Sequence, residues 1–161
     1  MVRRTALVLI ALLLAGCGFQ PRGGLQVPPD IGPLRVVSAD PYDPVAAGLE
    51  RALQRAGAAT EAADAGRLRL VRQNWSEGPL LTDDQARVRE YVTRFRVDFE
   101  LSGADGEVVM PRQTVELSRE YAYDATAALG STEEREVIRE ELRREMVAAI
   151  LRRVDAALAA R

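Results

Sequence analysis

The sequence predicts an α+β fold, a two-layer sandwich in which a four-stranded mixed sheet carries two helices packed on one face, in the order β-α-β-β-β-α. Three observations support this prediction. Residues 90–101 alternate apolar and charged side chains with period two, which is typical of a strand with one buried face. Residues 132–159 repeat apolar side chains at steps of three and four, which is typical of an amphipathic helix. Residues 34–72 read as strand, helix and strand, which suggests a right-handed crossover between parallel strands.

The first residues read as a leader that is removed from the mature chain. Arg3 and Arg4 give a positive start, residues 6–15 form an unbroken apolar run, and the tetrad Leu-Ala-Gly-Cys ends at Cys17. A charged start, an apolar stretch and small residues before a cleavage point describe a secretory signal peptide. The apolar run is too short to cross a bilayer as a helix, which takes about 20 residues. We therefore predict a signal peptide over residues 1–16.

The tetrad resembles a lipobox, the sequence that lipoprotein signal peptidase recognises. The resemblance implies cleavage between Gly16 and Cys17, an S-diacylglycerol on the Cys17 thiol and an acyl group on the new amino terminus. Cys17 is the only cysteine in the chain, so it has no disulfide partner, and acylation removes the liability of a free thiol in an oxidising compartment. An ordinary signal peptide with an incidental cysteine is the alternative.

The residue after the acylated cysteine bears on the destination of such lipoproteins. An aspartate there commonly causes retention in the inner membrane, whereas this chain has Gly18. The resemblance therefore implies anchoring to the periplasmic side of the outer membrane. Several acyl chains anchor a protein far more firmly than one. Residues 17–33 are rich in proline and glycine, so we interpret them as an extended, lipidated tether, and residues 34–161 as one domain.

The first half of this domain begins with a strand over residues 34–38. Asp43 then suits a helix N-cap and Pro44 the first helical position. Apolar residues follow at helical spacing, and Gly57 suits the C-terminal cap. A second strand is predicted over residues 68–72, with Trp75 as its furthest end.

The second half starts with the alternating strand over residues 90–101. Gly103-Ala104-Asp105-Gly106 supplies the residues of a hairpin turn. The returning strand is predicted over residues 108–123, interrupted near Pro111. Ser131 and Glu134 have the spacing of a capping box ahead of a helix from Thr132 to about Ala159. The predicted apolar stripe of that helix consists of Val137, Ile138, Leu142, Met146, Ala149, Ile150, Val154 and Leu158.

The composition argues against several classes of function. The net charge is −2, which does not suit a protein that binds nucleic acid through bulk charge. The chain has no histidine, the commonest general base and zinc ligand, and its 22 basic residues are all arginine. No nucleophile elbow, phosphate loop or dinucleotide-binding glycine motif occurs in the sequence. We therefore predict a protein that is not an enzyme and needs no metal, cofactor or nucleic acid.

An ordered set of segments resembles the LPS-assembly lipoprotein family LptE, also called RlpB. The matching segments are Cys17-Gly18-Phe19-Gln20-Pro21-Arg22-Gly23, residues 34–42 with their Asp-Pro turn, Glu90-Tyr91 with the alternation that follows, Asp105-Gly106, residues 119–124, and residues 134–146. The resemblance implies an outer-membrane lipoprotein that plugs the lumen of an LptD-type barrel. It also implies that the protein assists assembly of the barrel and binds lipopolysaccharide during delivery to the cell surface.

In this family lipopolysaccharide binding is attributed to basic residues in loops at one end of the sheet. The corresponding segments here lack such cations, since residues 77–85 are acidic and residues 125–132 carry no basic side chain. The remaining candidates are Arg87 and Arg89 beside the first loop, and Arg112 and Arg119 in the last hairpin. The alternative is that these four are solvated strand residues. Trp75 and the pair Tyr121 and Tyr123 are interpreted first as packing residues.

Two other functions remain open from the sequence. One is an auxiliary outer-membrane lipoprotein of a different lipid-transport system. The other is a structural lipoprotein that connects envelope layers without a ligand.

Overall fold

A computed structural model of the chain describes residues 27–29, 31–82, 88–122 and 130–160. Its elements are β1 (Leu34–Val37), α1 (Pro44–Arg55), β2 (Gly66–Thr82), β3 (Val88–Ser102), β4 (Val108–Ala122) and α2 (Gly130–Ala159). The sheet order is β1-β2-β3-β4, with β1 parallel to β2 and the other neighbours antiparallel. The predicted α+β architecture and element order are confirmed. The signal peptide, Cys17 and most of the tether lie outside the described residues.

Strand β2 is much longer than the sequence predicts. It runs from Gly66 to Thr82, so the prediction of a loop over residues 77–82 is wrong. Pairing with β3 extends as far as Thr82 opposite Val88, and the alternation of β3 fixes that register. Pro79 is tolerated in this strand because β1 pairs with β2 only as far as Arg69, which leaves the rest of β2 at an edge of the sheet.

Strand β4 contains a bulge where the sequence predicts an interruption. Its register with β3 passes from Phe99 opposite Gln113 to Leu101 opposite Met110, so Pro111 and Arg112 together face a single β3 residue. The strand is otherwise continuous up to Ala122. Proline is compatible with this position because β4 is an edge strand and the bulge interrupts its regular backbone hydrogen bonds with β3. Tyr123, the predicted last residue of the strand, lies outside the described residues.

The caps predicted for α1 and the turn predicted between β3 and β4 are present. The Asp43 carboxylate accepts a hydrogen bond from the backbone N–H of Val45 at 2.9 Å, which caps α1. Gly57 follows the helix with a φ of 68°, the left-handed conformation of a C-terminal cap. In the β3–β4 hairpin the Gly103 N–H donates to the Glu107 carbonyl at 2.8 Å, and Gly106 has a φ of 86°.

One face of the sheet and both helices enclose a single hydrophobic core. Residues of β3 at odd-numbered positions, such as Phe95, Val97 and Phe99, are buried, while Arg94 and Arg96 between them are exposed. Buried side chains of both helices belong to the same core cluster. The helices therefore lie on one face, as predicted, and the opposite face of the sheet is open.

Helix α2 buries a stripe that follows a four-residue step. Its most deeply buried residues are Ile138, Leu142, Met146, Ile150, Val154 and Leu158. Each such step advances about 40° around a helix of 3.6 residues per turn, so the stripe winds around α2. A twisted sheet presents such a rotating surface to a helix that lies along it. Val137 is 57% exposed, so its prediction as a core residue is wrong. The helix begins at Gly130, so Ser131 lies within its first turn and the predicted N-cap at Ser131 is wrong.

Candidate functional site

The domain has two chemically different ends. At the near end, residues 27–29, which continue from the predicted tether, line a cleft with Leu158 and Ala159 at the end of α2. At the far end, β2 finishes at Thr82, β4 at Ala122, and α2 begins. Helix α2 has 30 residues and so separates the two ends by about 45 Å. The predicted tether therefore joins the domain at the near end, about 45 Å from the far end.

The four arginines proposed from the sequence are divided between different parts of the domain. Arg87 lies outside the described residues, and Arg89 lies at the far end in β3, where its side chain is not described. Arg112 lies in the β4 bulge at the near end and pairs with Glu100 at 3.6 Å. Arg119 lies on the helix-covered face, where it pairs with Glu145 of α2. Arg112 and Arg119 therefore lie on opposite faces of the sheet, and Arg112 is not at the far end.

The open face of the sheet carries many charges that pair across strands. Glu100 lies between Arg69, at 3.8 Å, and Arg112, at 3.6 Å. Cross-strand pairing and alternation put seven arginines on this face: Arg35, Arg67, Arg69, Arg72, Arg94, Arg96 and Arg112. Such a face is suited to a polar environment or a polar partner and not to a second apolar layer.

Asp98 is a largely buried acid on the open face. The Thr114 hydroxyl donates to its carboxylate at 2.7 Å, and the Arg96 Nε lies 3.5 Å from the same oxygen. The hydrogen bond from Thr114 and the nearby charges of Arg96 and Arg72 hold the pKa of Asp98 below its ordinary value, although burial opposes that shift. The contacts with Thr114 and Arg96 fix the position of the Asp98 side chain on this face.

The helix-covered face carries an aromatic cluster towards the far end. The Trp75 ring stacks on Phe95 with 3.9 Å between ring centroids and 7° between ring planes. The guanidinium carbons of Arg139 and Arg143 lie 5.9 Å and 5.7 Å from the Trp75 centroid. Trp75 is half-buried against the core, in agreement with its interpretation as a packing residue.

A polar cluster lies beside this tryptophan. The Tyr121 hydroxyl donates to the Glu77 carboxylate at 2.8 Å, and Arg135 lies 3.7 Å from the same oxygen. Burial, followed by the bond to the carboxylate, raises the pKa of Tyr121 to about 12. This cluster is not predicted from the sequence, because the segment around Glu77 is predicted to be a loop. The four-residue spacing of Arg135, Arg139 and Arg143 was the signal that could have found it.

Neither helix of the described residues is both long and apolar enough to span a membrane. Within residues 27–29, 31–82, 88–122 and 130–160, histidine, cysteine and acidic side chains nowhere gather in a group of three that could hold a metal ion.

The family profile and the similar proteins agree on one family. The sequence profile of LptE, described as lipopolysaccharide-assembly, matches residues 31–154. The chain is 27% identical over 149 residues to the LPS-assembly lipoprotein LptE of Photorhabdus laumondii, with 91% of this chain and 81% of that protein covered. It is 30% identical over 153 residues to the protein of the same description from Yersinia pestis, with 91% and 72% covered.

Solved structures agree with the fold. The rare lipoprotein B of Shewanella oneidensis superimposes with a TM-score of 0.71 at 22% identity, over 80% of this chain and 98% of that one. A lipoprotein B of Nitrosomonas europaea gives a TM-score of 0.75 at 22% identity, over 89% and 94%. At this level of identity the likeness supports the fold alone.

Proposed function

Because this chain belongs to the LptE family of lipopolysaccharide-assembly proteins, we propose that it is an outer-membrane lipoprotein of the lipopolysaccharide transport machinery. It plugs the lumen of an LptD-type barrel, helps that barrel to assemble, and binds lipopolysaccharide during delivery to the cell surface. The family match over residues 31–154 carries this proposal, since it spans all four strands and most of α2. The role requires no covalent chemistry.

The anchor is the acylated Cys17, with the tether of residues 17–33 joining it to the domain. The tether reaches the domain at the near end, through residues 27–29 beside the last turn of α2. An anchor at one end of a domain about 45 Å long leaves the other end free to enter the lumen of a neighbouring barrel. This arrangement suits a plug that enters the barrel from the periplasmic side.

The open face of the sheet is the surface that we assign to the barrel wall. Barrel lumens of this kind are polar and water-filled, so a plug needs a polar surface towards them. The open face meets this need through its arginines and their cross-strand carboxylate partners, including Arg69, Glu100 and Arg112. Of the four arginines proposed from the sequence, Arg112 fits this surface best, because it lies at the near end beside Glu100.

The far end is the part that we assign to lipopolysaccharide. That ligand carries phosphates and acyl chains, so it needs cations beside apolar surface. Leu80 and Leu81 near the end of β2 are 44% and 52% exposed, and Arg87 and Arg89 follow them in the sequence. Arg119, which faces α2 on the helix-covered side, is the third cation that we retain for the ligand.

Depletion of the chain in its own organism tests this function. We expect a fall in the mature LptD-type barrel and in surface lipopolysaccharide, both restored by the wild-type gene. Charge reversal at Arg87 and Arg89 should weaken lipopolysaccharide binding and leave the barrel complex intact. Normal levels of barrel and surface lipopolysaccharide after depletion would contradict the proposed function. Unchanged binding by the charge-reversed variant would remove only those two residues from the site.

A further inference from the structure

Arg139 and Arg143 on α2 lie over the single tryptophan of the chain, on the helix-covered face near the far end. We propose that these two guanidinium groups, held on the Trp75 ring, form a binding site for the phosphate of a phosphorylated sugar. The inference rests on the proposed function, which supplies a phosphorylated glycolipid as the ligand. It deepens that function by assigning one phosphate of the ligand to arginines of α2, in addition to Arg87 and Arg89.

The tryptophan holds the two arginines in place. Phe95 covers one face of Trp75 at 3.9 Å between centroids and locks the ring against the core. Each guanidinium carbon lies within 6 Å of the ring centroid, which is the range of a cation–π contact. A guanidinium group that rests against an aromatic ring keeps N–H donors at its edge for a planar, bidentate partner such as phosphate.

The arginines remain accessible to a ligand. Their side chains are 39% and 29% exposed, and the carboxylates that they contact, Glu136 and Glu140, lie on the same helix at 3.2 Å and 3.4 Å. Exposed ion pairs of this spacing contribute little free energy, because water and salt screen them. A phosphate group that takes two forked hydrogen bonds from each arginine is therefore able to displace these contacts.

The geometry points to a sugar phosphate in preference to a bare anion. Phe95 and the guanidinium groups cover the two faces of the Trp75 ring. The apolar surface left for a sugar ring is therefore the exposed edge of Trp75 and the aliphatic stems of the arginines, while the guanidinium edges meet its phosphate. A free sugar phosphate and the head group of a glycolipid share this chemistry.

Trp75 supplies the test because it is the only tryptophan, so intrinsic emission reports on this site alone. The mature chain in detergent is titrated with lipopolysaccharide, with lipopolysaccharide stripped of phosphate, and with glucosamine phosphate. We expect the phosphorylated lipopolysaccharide to change the emission and the stripped form to bind about tenfold more weakly or worse. A similar change with glucosamine phosphate would assign the site to the sugar phosphate itself, and no change would assign it to the whole glycolipid.

The variant Arg139→Gln/Arg143→Gln tests the residues, with Arg144→Gln/Arg152→Gln on the same helix as the matched control. The first should lose about tenfold or more in affinity with an unchanged circular dichroism spectrum, and the control should bind as wild type. Binding by the first variant equal to wild type would overturn the site. Emission that stays constant while the chain still retains lipopolysaccharide in a pull-down would also overturn it and leave the proposed function standing. If the wild-type chain retained no lipopolysaccharide in the pull-down, the proposed function itself would be refuted.

Discussion

The near and far ends of the sheet share β2, β3 and β4 but are stabilised by different chemistry. Around the near end, two helices and four strands bury large apolar side chains, including Leu49, Leu68 and Leu101. Towards the far end β1 and α1 are absent. There Trp75 and Glu77 contact arginines of α2, and Tyr121 donates a hydrogen bond to Glu77. The comparison indicates that apolar burial is concentrated at the near end, and that the aromatic and ion-pair contacts lie where fewer elements cover the sheet.

The largest effect on stability is expected in the shared core. Phe99 is completely buried, and its replacement in Phe99→Ala leaves a cavity that costs about 3–5 kcal/mol of unfolding free energy. Val108→Ala, at a residue 64% exposed in the same hairpin, should stay within about 0.5 kcal/mol of wild type. Urea denaturation of the domain measures both. A loss below about 1 kcal/mol in Phe99→Ala would mean that stability does not reside in this core.

A second, smaller loss is expected where α1 joins β1 and β2. Asp43 is buried and caps α1 by accepting a hydrogen bond from the backbone N–H of Val45. It also accepts a hydrogen bond from the Ser38 hydroxyl at 2.7 Å and contacts the Gln73 side chain. Asp43→Ala should cost about 2–3 kcal/mol, since it removes a helix cap and leaves partners unpaired. Asp40→Ala is the matched control, because that exposed aspartate accepts only from nearby turn residues, such as the N–H of Tyr42 at 2.9 Å. Equal losses in the two variants would contradict the role of Asp43 as a junction.

At the far end, Tyr121→Phe should cost only about 1 kcal/mol, because its hydrogen bond to Glu77 lies near solvent. The folded-state pKa of Tyr121 is raised from 10.0 to about 12, so its contribution is fully present below pH 10 and is lost as pH rises through about 12. Wild-type stability should therefore fall over that range, and the fall should be smaller in Tyr121→Phe.

The control for this pH dependence is Tyr42→Phe, at a tyrosine that is 89% exposed. Lysine does not obscure the titration, because all basic residues of the chain are arginine. Denaturation midpoints between pH 9 and 12, with tyrosinate absorbance as a second readout, measure the effect. A fall in stability of the same size in Tyr121→Phe and wild type would show that another group is responsible.

The smallest change in stability is expected on the open face. Arg112→Gln removes an exposed ion pair with Glu100 and should alter the unfolding free energy by less than about 1 kcal/mol. Its expected effect is on the partner, since that arginine lies on the surface assigned to the barrel wall. Co-purification with the barrel should weaken and become more sensitive to salt. Full recovery of the complex at all salt concentrations would remove Arg112 from that surface.

The sequence predicts the near end better than the far end, for a physical reason. Asp43, Pro44, Gly57 and the turn at 103–106 act through local backbone chemistry, so a short segment suffices to identify them. The length of β2 depends instead on a register with β3 that is set by distant residues. Pro79 and the acidic residues around it indicate a loop locally, and pairing with a strongly alternating neighbour overrides that preference.

The candidate site is less predictable still. The spacing of arginines along α2 is visible in the sequence, but which of them meet Trp75 depends on how a winding apolar stripe rotates the helix over the sheet. The same rotation explains why Val137 is exposed although it neighbours Ile138. Arg119 breaks the apolar alternation of β4 in the sequence, and its partner Glu145 becomes evident only from the packing of α2.

The most direct test of the account compares the two ends in living cells. A photoreactive side chain is placed at Leu81, 52% exposed at the far end, or at Val108, 64% exposed at the near end, and the cells are illuminated during lipopolysaccharide export. We expect lipopolysaccharide adducts at Leu81 and none at Val108. Adducts at Val108 alone, or at neither position, would contradict it.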